Sequence, residues 1–153
     1  MSAVLELSVR YRAMQIADLP RVMEIESVIY SHPWTRGNFA DSLQAGHRCE
    51  VCECDGAIIG YAVMMSVLDE AHLLNISIAR EFQGRGLGRA LLRHMTDAAA
   101  RNGAAMMFLE ARPSNTSAIA LYESAGFNEF SVRKGYYPAG NGREDAILMG
   151  LAL

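Results

Sequence analysis

Stretches that repeat every second residue alternate along the chain with stretches that repeat every third or fourth, and the switches between the two periods predict its elements. Ser8 to Met14 sets Val9, Tyr11 and Ala13 against Arg10 and Arg12, the period of a strand with one wet face. Leu19, Val22, Ile25 and Ile29 then recur at helical spacing, behind Asp18 as N-cap and with Pro20 in the first turn. Thr35 opens a second helix that carries Phe39 and Leu43 inward and stops at Gly46. Arg48 to Cys54 and Ala57 to Val67 read as strands joined at Asp55-Gly56, a short-range hairpin signal, and Glu70 to Ile78 follows as the next antiparallel strand.

The second half changes character. Leu87, Leu91, Met95 and Ala98 mark a helix that runs to about Asn102, where Asn102-Gly103 supplies a stop. Met106 to Leu109 is apolar without alternation, the mark of a strand covered on both faces. A helical crossover back to that strand implies parallel pairing with Leu73 to Ile78. Glu110 ends it, Arg112-Pro113-Ser114-Asn115 turns the chain, and Ser114 or Asn115 caps a helix through Ile119, Leu121 and Tyr122 to Gly126. Phe127 to Arg133 and Asp145 to Leu151 read as the last two strands around a long connection, Lys134 to Glu144. The architecture this predicts is α/β, with a mixed central sheet of about six to seven strands flanked by about four helices.

Composition narrows the class. At 153 residues the chain suits one domain, 1–153, with no linker composition anywhere. A net charge of −3 gives no general basic surface, so no direct nucleic acid partner is expected. Met1 to Glu6 has neither a basic n-region nor a long apolar run, and no stretch is long and apolar enough to span a bilayer, so a cytoplasmic protein without a membrane partner is expected. Cys49, Cys52 and Cys54 lie near His47, but on a strand Cys52 and Cys54 face one way and Cys49 the other, so they do not converge on an ion. They read as small apolar fillers of a reducing compartment. His32, His47, His72 and His94 show no metal spacing either, and no metal is expected.

The chemistry concentrates in Gln83-Gly84-Arg85-Gly86-Leu87-Gly88-Arg89-Ala90-Leu91-Leu92, a glycine loop running from a strand into a helix. Glycines let a ligand approach the main chain, and the free N–H groups of the helix's first turn favour an anion, here a phosphate or pyrophosphate. A nucleoside triphosphate loop needs Lys and Ser or Thr after the last glycine, where this chain has Arg89-Ala90. A dinucleotide fingerprint needs one more residue between the last two glycines than Gly86 and Gly88 leave. The pattern Gln or Arg, two residues, Gly, one residue, Gly or Ala fits in full at Gln83, Gly86 and Gly88. In this the stretch resembles the acetyl-coenzyme A pyrophosphate loop of the GNAT acetyltransferases, beside the plainer alternative of a glycine turn that caps a core helix.

The resemblance spreads over almost the whole chain. Pro33-Trp34, Val67-Leu68-Asp69-Glu70-Ala71, Asn75-Ile76, Leu109-Glu110-Ala111-Arg112, Ser114-Asn115, Ala120 to Asn128, Tyr136-Tyr137-Pro138 and Arg143-Glu144-Asp145-Ala146 are similar to blocks of the RimI family. Members of that family acetylate the N-terminal alanine of a bacterial small-subunit ribosomal protein. One departure is Ala111, where the family often has Val, an exchange that leaves the neighbouring Glu in place.

What the resemblance implies is specific. The GNAT fold splays two central parallel strands into a cofactor cleft, and the acetyl-coenzyme A arm pairs with exposed main chain there. Ile76, Ser77 and Ile78 would contact acetyl and pantetheine through the main chain. Gln83, Gly84, Arg85, Gly86, Leu87, Gly88 and Arg89 would hold the pyrophosphate, and Asn115 the cofactor arm. An N–H near Ile78 would face the thioester oxygen as it becomes an oxyanion. Glu110 would be the general base and Tyr122, which keeps its proton at neutral pH, the general acid; a solvated strand-end carboxylate and a core ring are their plainer readings. Trp34, Tyr136 and Tyr137 would wall the site of the acceptor peptide, with Glu144 or Asp145 attracting a basic one, unless these rings simply pack. The acceptor would be a ribosomal protein's N-terminus. A lysine side chain or small amine is an alternative acceptor, because one fold hosts many. A non-catalytic acyl-coenzyme A sensor is the other alternative, although a sensor needs neither Glu110 nor Tyr122.

Overall fold

In the computed structural model residues 8–140 and 142–153 are described; Met1 to Glu6, considered above as a leader, lie outside them. Strand β1 (Val9–Ala13) pairs antiparallel with β2 (Arg48–Cys54), Val9 opposite Cys54 and Ala13 opposite Glu50. Between them lie helices α1 (Leu19–Ile29) and α2 (Arg36–Gln44). Asp55 and Gly56 both take positive φ, 51° and 80°, which gives the tight hairpin turn into β3 (Ala57–Val67). Strand β4 (Glu70–Ile78) follows, then the glycine loop, α3 (Leu87–Arg101), β5 (Met106–Ala111), α4 (Thr116–Ser124), β6 (Asn128–Ala139) and β7 (Gly142–Ala152).

Among the described residues the strands form one seven-stranded mixed sheet in the order β1-β2-β3-β4-β5-β7-β6. Strands β4 and β5 are parallel, as the crossover through α3 requires, and their ladder runs from Glu70↔Met106 to Leu73↔Leu109. Beyond Leu73, β4 continues to Ile78. The chain forms two compact units. One comprises the described residues up to Val63 with Asn75–Leu91, the other Met64–Leu74 with Leu92–Leu153.

The first unit buries Leu19, Val22 and Ile25 of α1 and Phe39 of α2 against Val51, Tyr61 and Val63. Cys49 joins that cluster while Cys52 and Cys54 pack with Ile59 in a second one, the two-sided placement the strand period predicts. Burial pushes the Cys49 and Cys52 thiols up to about 11, so both stay protonated at neutral pH. In the second unit Met107, Leu109, Phe127, Ala146 and Met149 are buried, and the Phe108 ring lies over Gly150.

Two local expectations change and a third narrows to one of its alternatives. Asp18 does not cap α1 through its side chain, because a short 3-10 turn, Ile16–Asp18, intervenes. Its carboxylate turns back instead, accepting from both terminal nitrogens of Arg12 at 2.8 Å and from the Gln15 N–H at 2.7 Å. The helix after residue 115 is capped by Asn115, whose Oδ1 accepts from the Ala118 N–H, and not by Ser114. The long connection Lys134 to Glu144 is also mostly strand. A bulge absorbs four residue steps of β6 against two of β7 between Arg133↔Ala146 and Tyr137↔Glu144, after which the ladder resumes to Ala139↔Gly142. Side chains of β7 satisfy the bulge: Gly135, at φ 60°, donates to Asp145 Oδ1, and Arg143 donates to the carbonyls of Gly135 and Tyr136. Without those partners the bulged main chain would lack hydrogen bonds, which is why the charge-rich stretch extends the hairpin.

Candidate functional site

In the first unit the glycine loop is shaped by conformation. Gly84 and Gly86 both sit at φ 78°, where an L side chain is strained, and a Cβ built on either would meet nothing within 4 Å. The loop main chain therefore faces open space. Gly88 lies inside the first turn of α3, which begins at Leu87, and the Ala90 N–H already bonds to the Gly86 carbonyl at 3.1 Å. The first turn of a 15-residue helix opens beside this space, the setting in which main-chain N–H groups and the helix dipole favour an anion. Arg85 stacks its guanidinium 5.4 Å from the Phe82 ring centroid and donates to the Glu81 carbonyl. Gln83 donates through Nε2 to the Ile78 carbonyl at 2.9 Å, so its side chain braces the end of β4.

Ahead of the loop, β4 carries a buried polar network that the hydrophobic pattern does not announce. Glu26, on the inward face of α1, is 1% exposed. Its Oε1 accepts from the Tyr61 hydroxyl at 2.7 Å and from Asn75 Nδ2 at 3.2 Å, and its Oε2 from the Trp34 N–H at 2.9 Å. Three donors converge on one carboxyl, and a buried carboxyl is tolerable only when so satisfied. Ser77 donates to Asn75 Oδ1 at 2.8 Å, and Tyr30 reaches both Ser77 Oγ at 2.9 Å and the Ile76 carbonyl at 2.8 Å. Burial, with the Glu26 charge, pushes the Tyr30 phenol up to about 12 and the Tyr61 phenol higher still. Trp34 lies in this setting, its ring tilted on Phe39 at 5.0 Å and its N–H spent on Glu26.

In the second unit Glu110 is the last residue but one of β5, with a third of its side chain exposed. Arg133 of β6 approaches it, Nη1 to Oε1 3.6 Å, and lies 5.3 Å from the Tyr136 ring centroid. Tyr137 meets Tyr136 edge-on at 5.0 Å and carries Arg112 stacked on its face at 4.4 Å. Burial first, then the Glu110 charge, pushes the Tyr137 phenol up to about 12, so these two belong to one electrostatic neighbourhood. Tyr122 is 8% exposed on α4, its ring edge against Phe127 at 6.0 Å. Asn115 spends Oδ1 on its cap. Glu144 and Asp145 are occupied too, Glu144 by Arg112 and the Ser114 N–H and Asp145 by Gly135.

Sequence reasoning named Trp34, Ser77 and Gln83 but missed Glu26, Tyr30, Tyr61 and Arg133. The available signal was Glu26 itself, a carboxylate one residue after Ile25 and four after Val22, inside the stripe that faces the core. Among the described residues no group of three or more His, Cys, Asp or Glu is placed to hold a metal ion, and no helix is long and apolar enough to cross a membrane.

Residues 19–127 match the acetyltransferase (GNAT) family. Over 141 residues the chain is 42% identical to the [ribosomal protein bS18]-alanine N-acetyltransferase of Escherichia coli (strain K12), covering 92% of this chain and 95% of that one. The crystal structure of the ribosomal-protein-S18-alanine N-acetyltransferase from Escherichia coli superposes with a TM-score of 0.87 at 41% identity, over 94% of this chain and 93% of that one. A Salmonella typhimurium protein, yncA, solved with its cofactor acetyl-CoA, shares the fold at TM-score 0.77 and 22% identity, over 95% of this chain and 94% of that one.

Proposed function

The chain belongs to the GNAT acetyltransferase family and is an acyltransferase, and from that premise we propose that it moves acetyl from acetyl-coenzyme A to the N-terminal alanine of a small-subunit ribosomal protein. The observation that carries the acceptor assignment is the 42% identity to the bS18-alanine enzyme across nearly the whole of both chains. The glycine loop, with its open main chain and helix start, is the seat for the pyrophosphate of the donor. Bound there, acetyl-coenzyme A supplies an activated thioester; the protein supplies position and two proton transfers.

The nitrogen of the acceptor must be neutral to form its bond to the thioester carbon. At pH 7 about a tenth of an N-terminal amine is neutral, against about one in a few thousand for lysine, so an N-terminal acceptor asks less of the base. Glu110, at the end of β5 with a third of its side chain reaching water, takes the proton directly or through a water molecule. Tyr122 holds the proton that the sulfur needs as the carbon–sulfur bond breaks. Ile76 and Ile78 offer main chain to the acetyl end, and the aromatic pair Tyr136 and Tyr137 shapes the acceptor's path. The whole of 1–153 acts as one such domain.

Intact-mass measurement of two matched peptides tests this: one with a free N-terminal alanine, one with that amine blocked and a lysine available. Modification of the free-alanine peptide alone is expected. Modification of the blocked peptide would reassign the acceptor to lysine, and no reaction with either, while coenzyme A still binds, would remove the N-terminal reading.

A further inference from the structure

The hydrogen bonds around β4 have a direction, and Glu26 sets it. Because the Glu26 carboxylate only accepts, Asn75 presents its NH₂ to it and is left with Oδ1 toward Ser77. Ser77 then spends its single hydroxyl hydrogen on Asn75, which leaves Ser77 Oγ an acceptor toward Tyr30. Tyr30 is therefore the donor at the end of the relay, and its single hydrogen is shared between Ser77 Oγ at 2.9 Å and the Ile76 carbonyl at 2.8 Å.

Strand geometry says which edge that carbonyl occupies. Main-chain groups of alternate residues in a strand point to opposite edges. The Ala79 N–H bonds to the Ile59 carbonyl at 2.8 Å, and the Ser77 carbonyl faces Gly60, where a Cβ would stand only 2.7 Å away. Odd positions thus turn toward β3. Ile76 and Ile78 turn to the opposite edge, where Tyr30 holds the first carbonyl and Gln83 the second, at 2.8 and 2.9 Å. Both carbonyls of that edge are engaged by side-chain donors, which tilts what it offers a ligand toward N–H groups, the polarity that an oxyanion requires.

We propose that Tyr30 is a positioning residue for acetyl transfer: its hydroxyl, oriented by the relay from Glu26, fixes the Ile76 carbonyl and so sets the edge of β4 that receives the acetyl group. This deepens the acetyltransferase reading and rests on it. Tyr30 leaves α1 at its C-cap, so one phenol ties the end of that helix to the strand. It touches no reacting atom; it acts through the Ile76 peptide unit, where a misplacement of about 1 Å can cost on the order of a hundredfold in rate.

Tyr30→Phe removes one oxygen and keeps the ring. In the full-length protein the variant is expected to lose about tenfold in kcat on a free-alanine peptide while coenzyme A affinity, carried mainly by the pyrophosphate seat, stays within about twofold. Hydrogen exchange over Leu74 to Ala79 should accelerate in the same variant without a general rise elsewhere. Unchanged kcat would overturn the proposal, as would a loss that appears equally in coenzyme A binding and in exchange throughout the chain. If wild-type protein acetylates no peptide, the acceptor assignment fails, and the exchange measurement still decides: confined acceleration upholds Tyr30 as the brace of β4, and unaltered exchange removes it. Should Tyr30→Phe not fold, Tyr30→Trp, which keeps an aromatic ring with a hydrogen-bond donor at a shifted position, is measured in the same ways, and the same results support or overturn the role of Tyr30.

Discussion

Glu26 and Glu110 are the same kind of group in opposite circumstances, one in each compact unit. Glu26 is 1% exposed and its carboxyl accepts from donors held by other parts of its unit: a hydroxyl on β3, an amide on β4 and the main chain before α2. Glu110 keeps a third of its side chain in water and has one loose ion pair, 3.6 Å from an arginine that is itself half exposed. Burial turns the first into a structural centre, because donors from three parts of its unit converge on it. Exposure leaves the second in reach of water and of a ligand, and its loose surface pair contributes little to the fold. The lesson is that a carboxylate available for chemistry and a structural one differ by solvent access more than by chemical type.

The sharpest way to break that contrast is Glu110→Gln. The amide keeps the shape and cannot take a proton, so turnover on a free-alanine peptide should fall by about 10² to 10⁴, while urea unfolding should stay within about 0.5 kcal/mol of wild type. A variant that turns over normally would return Glu110 to the status of a solvated strand end.

Glu26→Gln should invert the pattern. A glutamine must turn an NH₂ toward donors, so at least one of the Tyr61, Asn75 and Trp34 groups loses its acceptor inside the protein. The expected loss is about 3 kcal/mol of stability by urea unfolding. A neutral effect would show that the buried network is slack, and would weaken the relay to Tyr30 with it.

How much of this was legible beforehand follows the same division. Period and punctuation found the seven strands and four α-helices of the described residues, because alternation, Asp55-Gly56, the glycine loop and the parallel crossover are local signals or follow from handedness. The extent of β6 and β7 was not legible. Lys134 to Glu144 reads as polar loop, and its strand character depends on Arg143 and Asp145 reaching across the hairpin to the bulge at Gly135. Asp18 takes the expected N-cap position without the side-chain cap bond for a similar reason: Arg12, from the neighbouring strand, holds its carboxylate. In the candidate site, motif residues such as Gly84, Gly86 and Gln83 stand out in sequence because spacing defines them. Glu26, Tyr30 and Tyr61 do not, since a polar residue in an apolar stripe names no partner until the chain has folded.

A smaller change probes the seam between β3 and β4 without touching a charge. Gly60 lies outside the left-handed region and has no conformational need for glycine, but a Cβ there would stand 2.7 Å from both the Ser77 carbonyl and Ile78 Cδ1. Gly60→Ala should cost about 1 to 3 kcal/mol by overpacking, seen as a lowered thermal midpoint. Because the clash bears on the backbone at Ser77, kcat should fall along with it. A stable, fully active alanine variant would mean that β4 yields easily and that its edge is not held in place.

The smallest effect belongs to the second unit's hairpin. Arg112 donates to the Pro138 carbonyl at 2.8 Å and to Glu144 at 3.2 Å while lying flat on Tyr137, three tasks that a planar guanidinium performs together and an ammonium cannot. The pair is near the surface, so Arg112→Lys should lower the thermal midpoint by at most about 3 °C. Acid provides an independent route to the same loss. The Ser114 hydrogen bonds first, then Arg112, hold the Glu144 carboxyl below the usual range. A carboxyl depressed in the folded state contributes its stabilisation above its unfolded pKa and loses it as pH falls through the folded one. Wild-type protein taken from pH 6 toward pH 3 should therefore show faster hydrogen exchange at Tyr136 to Ala139, and Arg112→Lys should show part of that acceleration already at pH 6. If the hairpin exchanges at the same rate in all these conditions, its order comes from the β6–β7 ladder alone, and the surface charges of this unit can be altered without moving the aromatic pair beside Glu110.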